Sequence, residues 1–544
     1  MIKQPFLNSQ AKLPLFSLLF LSMLIILPRA HADERESLEQ LKATTTNLIE
    51  LLVQEGILPK DKAAAMVKKA SQDAAIQVKQ AKAKEATNTD GSVPTAVLPD
   101  EKSVRVQYVP DHVKKEIRAD IEKDIMTKLN YKAGTRLGLP SWIDRIAFNG
   151  DIRLRYQNDS FADRNALPQT LNNSDRNYGV VNSTDDRNRL RARARLGADI
   201  AVNDWLKGGL RFVTGQLSSP VTPNQTEGLA QGKFIFGLDR LFLQASPYSW
   251  LNVAGGRFAN PFFHTDLIWD PDLSFDGFQA TFTPKFNDSW SSFTTVGAFP
   301  IEEVQSSDTI SAKSKWLYAL QTGIQWRSQN RSLAKLGIAY YDFENVEGVT
   351  SPNGTTAFDA TAPVFRQKGN NTFDVSRLNA NKGLYGLASK FKLVNVTGQL
   401  DLLTYDPVHV SLIGDYVKNV GFDQAEILKR TGKNNKDETD GYQLRLEVGH
   451  TSFTGPSWVD VKPNDWSAML GYKYIEADAV VDAFTDSNFS LGGSNAKGWI
   501  LGANYAIDKN AWVSARYLST DAITNPGFQS FSVDVLLLDF NAKF

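Results

Sequence analysis

From about Trp142 to the C-terminus, apolar and polar positions alternate with a period of two. In the segment 148–156, Phe148, Gly150, Ile152, Leu154 and Tyr156 fall on one face and Asn149, Asp151, Arg153 and Arg155 on the other. Between residues 187 and 202, Arg187, Arg189, Arg191, Arg193 and Arg195 alternate with Leu190, Ala192, Ala194, Leu196, Ala198, Ile200 and Val202. The dyad recurs at Trp316/Tyr318/Leu320/Ile324/Trp326, Tyr442/Leu444/Leu446/Val448 and Trp466/Ala468/Leu470/Tyr472/Tyr474. One such segment is what a half-buried strand of any antiparallel sheet shows. Repetition over about 400 residues with no helical interruption points to an all-β architecture.

Sixteen segments of this kind begin near residues 146, 187, 205, 233, 249, 273, 288, 314, 332, 386, 407, 440, 464, 496, 510 and 530. Tight turns at Asn203-Asp204, Pro247-Tyr248, Asp406-Pro407 and Asp508-Lys509 are separated by long loops near 158–186, 217–232, 345–385, 419–439 and 477–495. An even strand count with short turns at one end and long loops at the other is the pattern of an outer-membrane barrel. In lipid no backbone group can stay unpaired, so the sheet must close on itself. The expected fold is therefore an all-β transmembrane barrel of about 16 antiparallel strands over residues 141–544. Trp316 and Trp326, ten residues apart on one face, are placed to mark its two aromatic girdles. Loop 345–385 is long enough to fold inward as a constriction or to stand outside as a cover. The chain ends in mid-strand with Leu536, Leu538, Phe540, Ala542 and Phe544 on one face. Phe540 and the terminal Phe544 look like the signal read by outer-membrane assembly machinery.

The first 140 residues follow other periods. Lys3 and Lys12, the apolar run Leu13–Leu27 and the sequence Ala30-His31-Ala32 have the order of a signal peptide, residues 1–32. Residues 33–85 read as a helical, coiled-coil-like periplasmic segment, with Leu38, Leu41, Leu48 and Leu52 on one stripe. Subunit pairing, including a homotrimer, and a solvated helix pair both fit that spacing. Residues 86–110 read as a linker, and 111–140 as an amphipathic helix with Val113, Ile117, Ile121 and Ile125 every four residues.

Composition sharpens this picture mainly by exclusion. The 544 residues contain no Cys, which rules out disulfides, thiol catalysis and thiolate metal sites. The 60 basic and 60 acidic side chains argue against nucleic acid as a partner. The mean hydropathy of −0.30 excludes a helical membrane bundle. It suits a barrel whose lipid face is averaged with a water-facing one.

The segments Val104–Ile117, Leu139–Tyr156 and Asp482–Phe489 with Gly492-Gly493 resemble the Putative porin family of proteobacterial outer membranes. The resemblance covers essentially the whole chain after the signal segment, and implies a barrel porin with a helical N-terminal region and no shared catalytic signature. Gly255-Gly-Arg-Phe258 and Trp269–Gly277 also resemble a strand–loop–strand of anion-selective porins.

If the apolar face meets lipid, the opposite face lines a pore. That face carries Arg153, Arg155, Arg189, Arg191, Arg193 and Arg195, followed by Lys207, Arg211 and Arg257, with Lys392, Arg445, Lys473 and Arg516 as further candidates. Stacked guanidinium groups lower the energy of a permeating anion and raise that of a cation. The expected function is passive diffusion of small hydrophilic, preferentially anionic solutes. Acidic residues on the same face, Asp151, Asp199, Asp239, Asp415 and Glu447, allow a weakly selective pore instead. Two rivals are a structural tether with a plugged barrel and a barrel-embedded hydrolase. The hydrolase rests only on polar residues at the rim, while His409, with Ser411 and Asp415, falls on an inward dyad that polar lumen lining explains. The acidic loops Asp270–Asp276 and Asp482–Asp486 fit solvated loops better than calcium sites. No metal or cofactor is expected.

Overall fold

The computed structural model describes residues 143–378, 383–451, 461–523 and 530–544. The signal peptide, helical segment, linker and amphipathic helix expected over 1–140 lie outside these residues. The strands are β1 (Ile146–Phe161), β2 (Arg187–Ala201), β3 (Leu206–Thr214), β4 (Gln225–Thr226), β5 (Phe236–Tyr248), β6 (Leu251–Ala259) and β7 (Ser274–Phe282). They continue with β8 (Trp290–Glu302), β9 (Lys315–Arg327), β10 (Leu333–Glu344), β11 (Thr372–Asp374), β12 (Tyr385–Leu387) and β13 (Phe391–Leu402). The remainder are β14 (His409–Asn419), β15 (Asp440–Gly449), β16 (Trp466–Ile475), β17 (Ala496–Asp508), β18 (Ala511–Ala522) and β19 (Ser532–Lys543). Two short helices, α1 (Pro168–Asn172) and α2 (Gln424–Thr431), lie in loops.

Sixteen of these strands form one closed antiparallel ring, each pairing with its neighbour in sequence and β19 returning to β1. The two-residue β4 adds to β2 beside the end of β3, and β11 and β12 form a hairpin within a loop. Closure is completed at the last residue, where Phe544 and Gly150 exchange backbone hydrogen bonds of 3.0 and 3.1 Å. The Phe544 ring lies over Gly150, where a Cβ would fall 2.5 Å from it, so only glycine fits that spot on β1. Both Phe540 and Phe544 face outward.

Alternation decides which side each residue takes. Phe148, Leu154, Leu320 and Leu444 are exposed on the outer wall, whereas Arg155, Gln321 and Gln443 are buried inside. Trp290, Trp326 and Trp466 form an aromatic belt at the turn end, and Trp316, Tyr318, Tyr416 and Tyr442 one at the loop end. Several tight turns are fixed by asparagine. The Asn203 carboxamide oxygen accepts from the amides of Trp205 and Leu206, and that of Asn287 from those of Ser289 and Trp290.

The long loops settle the question raised by 345–385. Its residues Gln367, Lys368 and Asn370 bind backbone carbonyls of the 477–495 loop, so it packs as a cover on that loop. At Gly493, with φ +93°, a Cβ would sit 1.8 Å from the Lys368 carbonyl oxygen, which explains a glycine at this junction. The inward constriction comes instead from residues 260–273, the β6–β7 connection. Lys392 is also corrected: it lies on the outer face and pairs with Asp342 at 2.8 Å.

Candidate functional site

The odd-numbered side chains of β1 and β2 point into the lumen and meet there with those of β3, β5 and β19. Arg155 gives a two-pronged donation to Asp539 at 2.6 and 2.7 Å, with Asn488 at 3.1 Å. Asp151 accepts from both Arg193 and Arg195 at 2.6 Å. Arg189 pairs with Asp159, and Arg211 with Asp239. These charge-assisted contacts hold the guanidinium planes in fixed orientations.

Three arginines have no carboxylate this close. Arg153 donates to the Asn224 side chain at 2.6 Å, with Asp539 3.9 Å away. Arg191 donates to the Gln157 side chain at 3.0 Å and the Asn224 carbonyl at 3.2 Å. Arg240 donates to the Ser274 hydroxyl at 3.0 Å, with Asp239 at 3.9 Å. Arg153, Arg155, Arg189, Arg191, Arg193, Arg195, Arg211 and Arg240 therefore outnumber Asp151, Asp159, Asp199, Asp239, Asp272 and Asp539, and the wall keeps a positive excess. Lys207 shares the inward face of β3 at the turn end and is exposed. Arg257 does not join the ladder. Its register partners are the exposed Leu241 and Asp276, and it sits at the loop-end rim, 2.7 Å from Asp276.

Residues 260–273 cross from this wall to the far side of the ring. Phe263 exchanges two backbone-to-side-chain hydrogen bonds of 2.7 Å with Gln321 on β9. Thr265 donates to Asp415 on β14, which also accepts from Asn395 and Thr397. Asp266 receives Gln443 at 2.8 Å, Lys473 at 3.2 Å and Arg445. Burial alone would raise the Asp266 pKa, but Lys473 and Arg445 hold it well below the usual carboxylate range. The segment then returns, and Asp272 lies 3.2 Å from Arg195 and 3.7 Å from Arg193. Here too the arginines outweigh burial and keep the carboxyl group ionised. Asp270, buried beside Asp272 and Asp486, is pushed well above the ordinary range. In the acidic loops, Asp270, Asp272, Asp482 and Asp486 are thus folded into the lumen, whereas Asp276 stays exposed at the rim.

Apolar packing fixes the same segment. Trp269 is 1% exposed, with Phe275 and Tyr341 rings 5.1 and 5.2 Å from its own. Beside this cluster, at the loop end, lies a cavity of about 510 Å³ lined by Arg211, Asp239, Glu302, Lys315, Phe275 and Phe299, with Arg257 and Asp276 also contributing. Ser411 and His409 share the inward face of β14, but among the described residues no hydrogen bond joins them, and Asp415 is committed to Thr265. No group of His, Asp and Glu among the described residues is arranged to hold a metal.

Arg240, Asp272, Asp539 and the lumen-crossing role of 260–273 went unread in the sequence. Asp539 lies 384 residues from its partner Arg155, so no local pattern links them.

A closed sixteen-stranded antiparallel barrel with an apolar exterior, aromatic belts and a charged lumen is an outer-membrane barrel of the porin class. Residues 42–544 match the family described as Putative porin, and the chain belongs to that family. Among curated proteins none matches. Among solved structures, Pseudomonas putida OprB at high pH is similar with 14% identity and a TM-score of 0.43, covering 76% of this chain and 97% of its own. The outer membrane channel DcaP of Acinetobacter baumannii shows 13% identity and a TM-score of 0.37 over 73% of this chain and 97% of its own. A Rhodopseudomonas blastica porin triple mutant shows 12% identity and a TM-score of 0.35 over 73% of this chain and 100% of its own.

Proposed function

We propose that this outer-membrane protein is a passive diffusion channel for small hydrophilic solutes, with a preference for anions. The observation that carries the reading is the positive excess on the β1–β3 wall, where Arg153, Arg191 and Arg240 lack a close carboxylate. A guanidinium without a near counter-charge leaves a field that a permeating anion can use, whereas a tight pair cancels most of its own. Lys207 extends that field toward the turn end. In this reading the turn end faces the periplasm, together with the N-terminal segment, and a trimeric assembly belongs to the same proposal. Reconstitution into planar bilayers under a salt gradient tests it through conductance and the sign of the reversal potential.

A second reading has its own support. Residues 260–273 and 477–495 both pack within the barrel, as they would in a plugged structural tether. Absence of any conductance in the same experiment would favour the tether.

A further inference from the structure

Below the groups that anchor 260–273, toward the turn end, β9 and β10 place Gly323 and Gly337 directly opposite each other. A Cβ at Gly323 would collide with the Phe293 ring, and one at Gly337 would stand 3.2 Å from the Phe263 ring and 3.3 Å from that of Phe293. The paired glycines thus form a flat seat on which the two rings lie edge to face, their centroids 6.1 Å apart. Phe293 comes from β8, and Phe263 from the lumen-crossing segment. Over both rings stands the ammonium group of Lys335, 4.2 and 4.5 Å from their centroids.

Lys335 shares the inward parity of Ala339 and Tyr341 on β10 and is half-buried. It lies four residues nearer the turn end than Ala339, whose register partner Gln321 binds Phe263. It therefore stands on the turn-end side of 260–273, on a strand that lies across the ring from β1 and β2. Arg445 and Lys473 meet the Asp266 carboxylate, but among the described residues Lys335 makes no hydrogen bond or ion pair. On β13, Asp401 stands two positions beyond Gln399, the register partner of Lys335, and accepts from Gln399 at 2.8 Å instead.

An aromatic ring holds a cation through its quadrupole and carries no net charge. A carboxylate partner cancels most of an ammonium group's field at a distance, whereas a ring leaves it in place. Two rings also restrict a long, flexible stem to one position, so the charge stands at a fixed point of the lumen. We propose that Lys335 is a selectivity-determining residue of the channel, a caged cation that draws anions past the turn-end side of the constriction, across from the arginine wall. The inference rests on the channel reading and adds to it a residue outside the ladder.

The test is the chloride-to-potassium permeability ratio in planar bilayers, read with position 335 in several charge states. Lys335→Gln should lower the ratio about twofold, and Lys335→Arg should keep it. The chain contains no Cys, so Lys335→Cys offers a single thiol for labelling. Coupling to 2-aminoethyl methanethiosulfonate, which restores an ammonium group, should bring the ratio back. Coupling to 2-sulfonatoethyl methanethiosulfonate, which adds a sulfonate, should take it below that of Lys335→Gln. Lys392→Gln removes the same charge from the outer face and should leave the ratio unchanged. A side chain that only packs on Phe263 and Phe293 would not follow the sign of the label. A ratio indifferent to the charge at 335, or shifted equally by Lys392→Gln, overturns the proposal, as does a thiol that stays unlabelled in the folded protein. Where Lys335→Cys fails to fold, Lys335→Gln and Lys335→Arg decide. Absence of conductance in the unmodified protein sinks the channel reading and this one with it; conductance with an unresponsive ratio sinks only the role of Lys335.

Discussion

The two sides of the lumen use the same residue types for different ends. On the β1–β3 wall, arginines share a smaller number of carboxylates, and several orient on amides or hydroxyls instead. On the far wall, Gln321, Asp415, Arg445 and Lys473 all bind the segment 260–273. One side keeps a net field; the other spends its polar groups on holding a loop in place. Charge count alone therefore says little about a pore, because a buried arginine can be a tether as readily as an attractor.

On the far wall the largest effect is expected at Asp266. Asp266→Ala removes the carboxylate that Arg445 and Lys473, 3% and 2% exposed, share, while Glu447 and Asp486 stand farther from them at 3.5 and 3.8 Å. Removing one member of a buried ionic group costs about 3–5 kcal/mol. The midpoint for loss of the compact, heat-modifiable form on gels should fall, and single-channel current should become larger and noisier as 260–273 is released. Unchanged stability and current would mean that the far wall is not a tether.

On the ladder the effect is smaller and falls on selectivity. Arg191→Gln should lower the anion-to-cation permeability ratio, and Asp272→Asn should raise it, each by roughly fivefold for about 1 kcal/mol of lumen electrostatics. Reversal potentials measure both. Shifts of the same sign in the two variants would contradict a field set by net charge.

A pH effect is expected at the junction of the two covering loops. Burial pushes the Asp478 pKa up to about 6, although Asn371 donates to it twice. A carboxyl group that holds its proton more tightly when packed stabilises that packing at low pH, and the contribution is lost as pH rises from about 4 through about 6. Hydrogen exchange in 477–495, corrected for intrinsic rates, should therefore speed up over this window, and Asp478→Asn should flatten the response. The smallest effect is expected on the outer surface, where Trp316 stacks on Tyr318 at 6.0 Å. Trp316→Ala should lower stability by about 1 kcal/mol, seen as a small drop in the same gel midpoint, with selectivity unchanged.

The strands were legible because each must show lipid one face and water the other, a constraint repeated sixteen times. Their observed starts fall within three residues of those read from alternation, apart from β13, and those at 187, 274, 440 and 496 within one. The largest departure is β13, which begins at Phe391 where alternation suggested 386, because Tyr385–Leu387 pairs with β11 instead. The ladder was legible for the same reason as the strands, since inward parity follows from the pleat. What parity cannot supply is partners across the ring. Arg155 with Asp539, or Asp266 with Lys473, are brought together only by closure. Length was also a poor guide to which loop turns inward. The segment 260–273 is shorter than 345–385, but its Phe262, Leu267, Ile268 and Trp269 give it an apolar surface to bury.

The anion preference proposed for the lumen shows in the zero-current potential of the unmodified protein in a bilayer under a KCl gradient. The expected sign is the one that reports chloride crossing more readily than potassium. A potential of the opposite sign, showing potassium favoured, would contradict it.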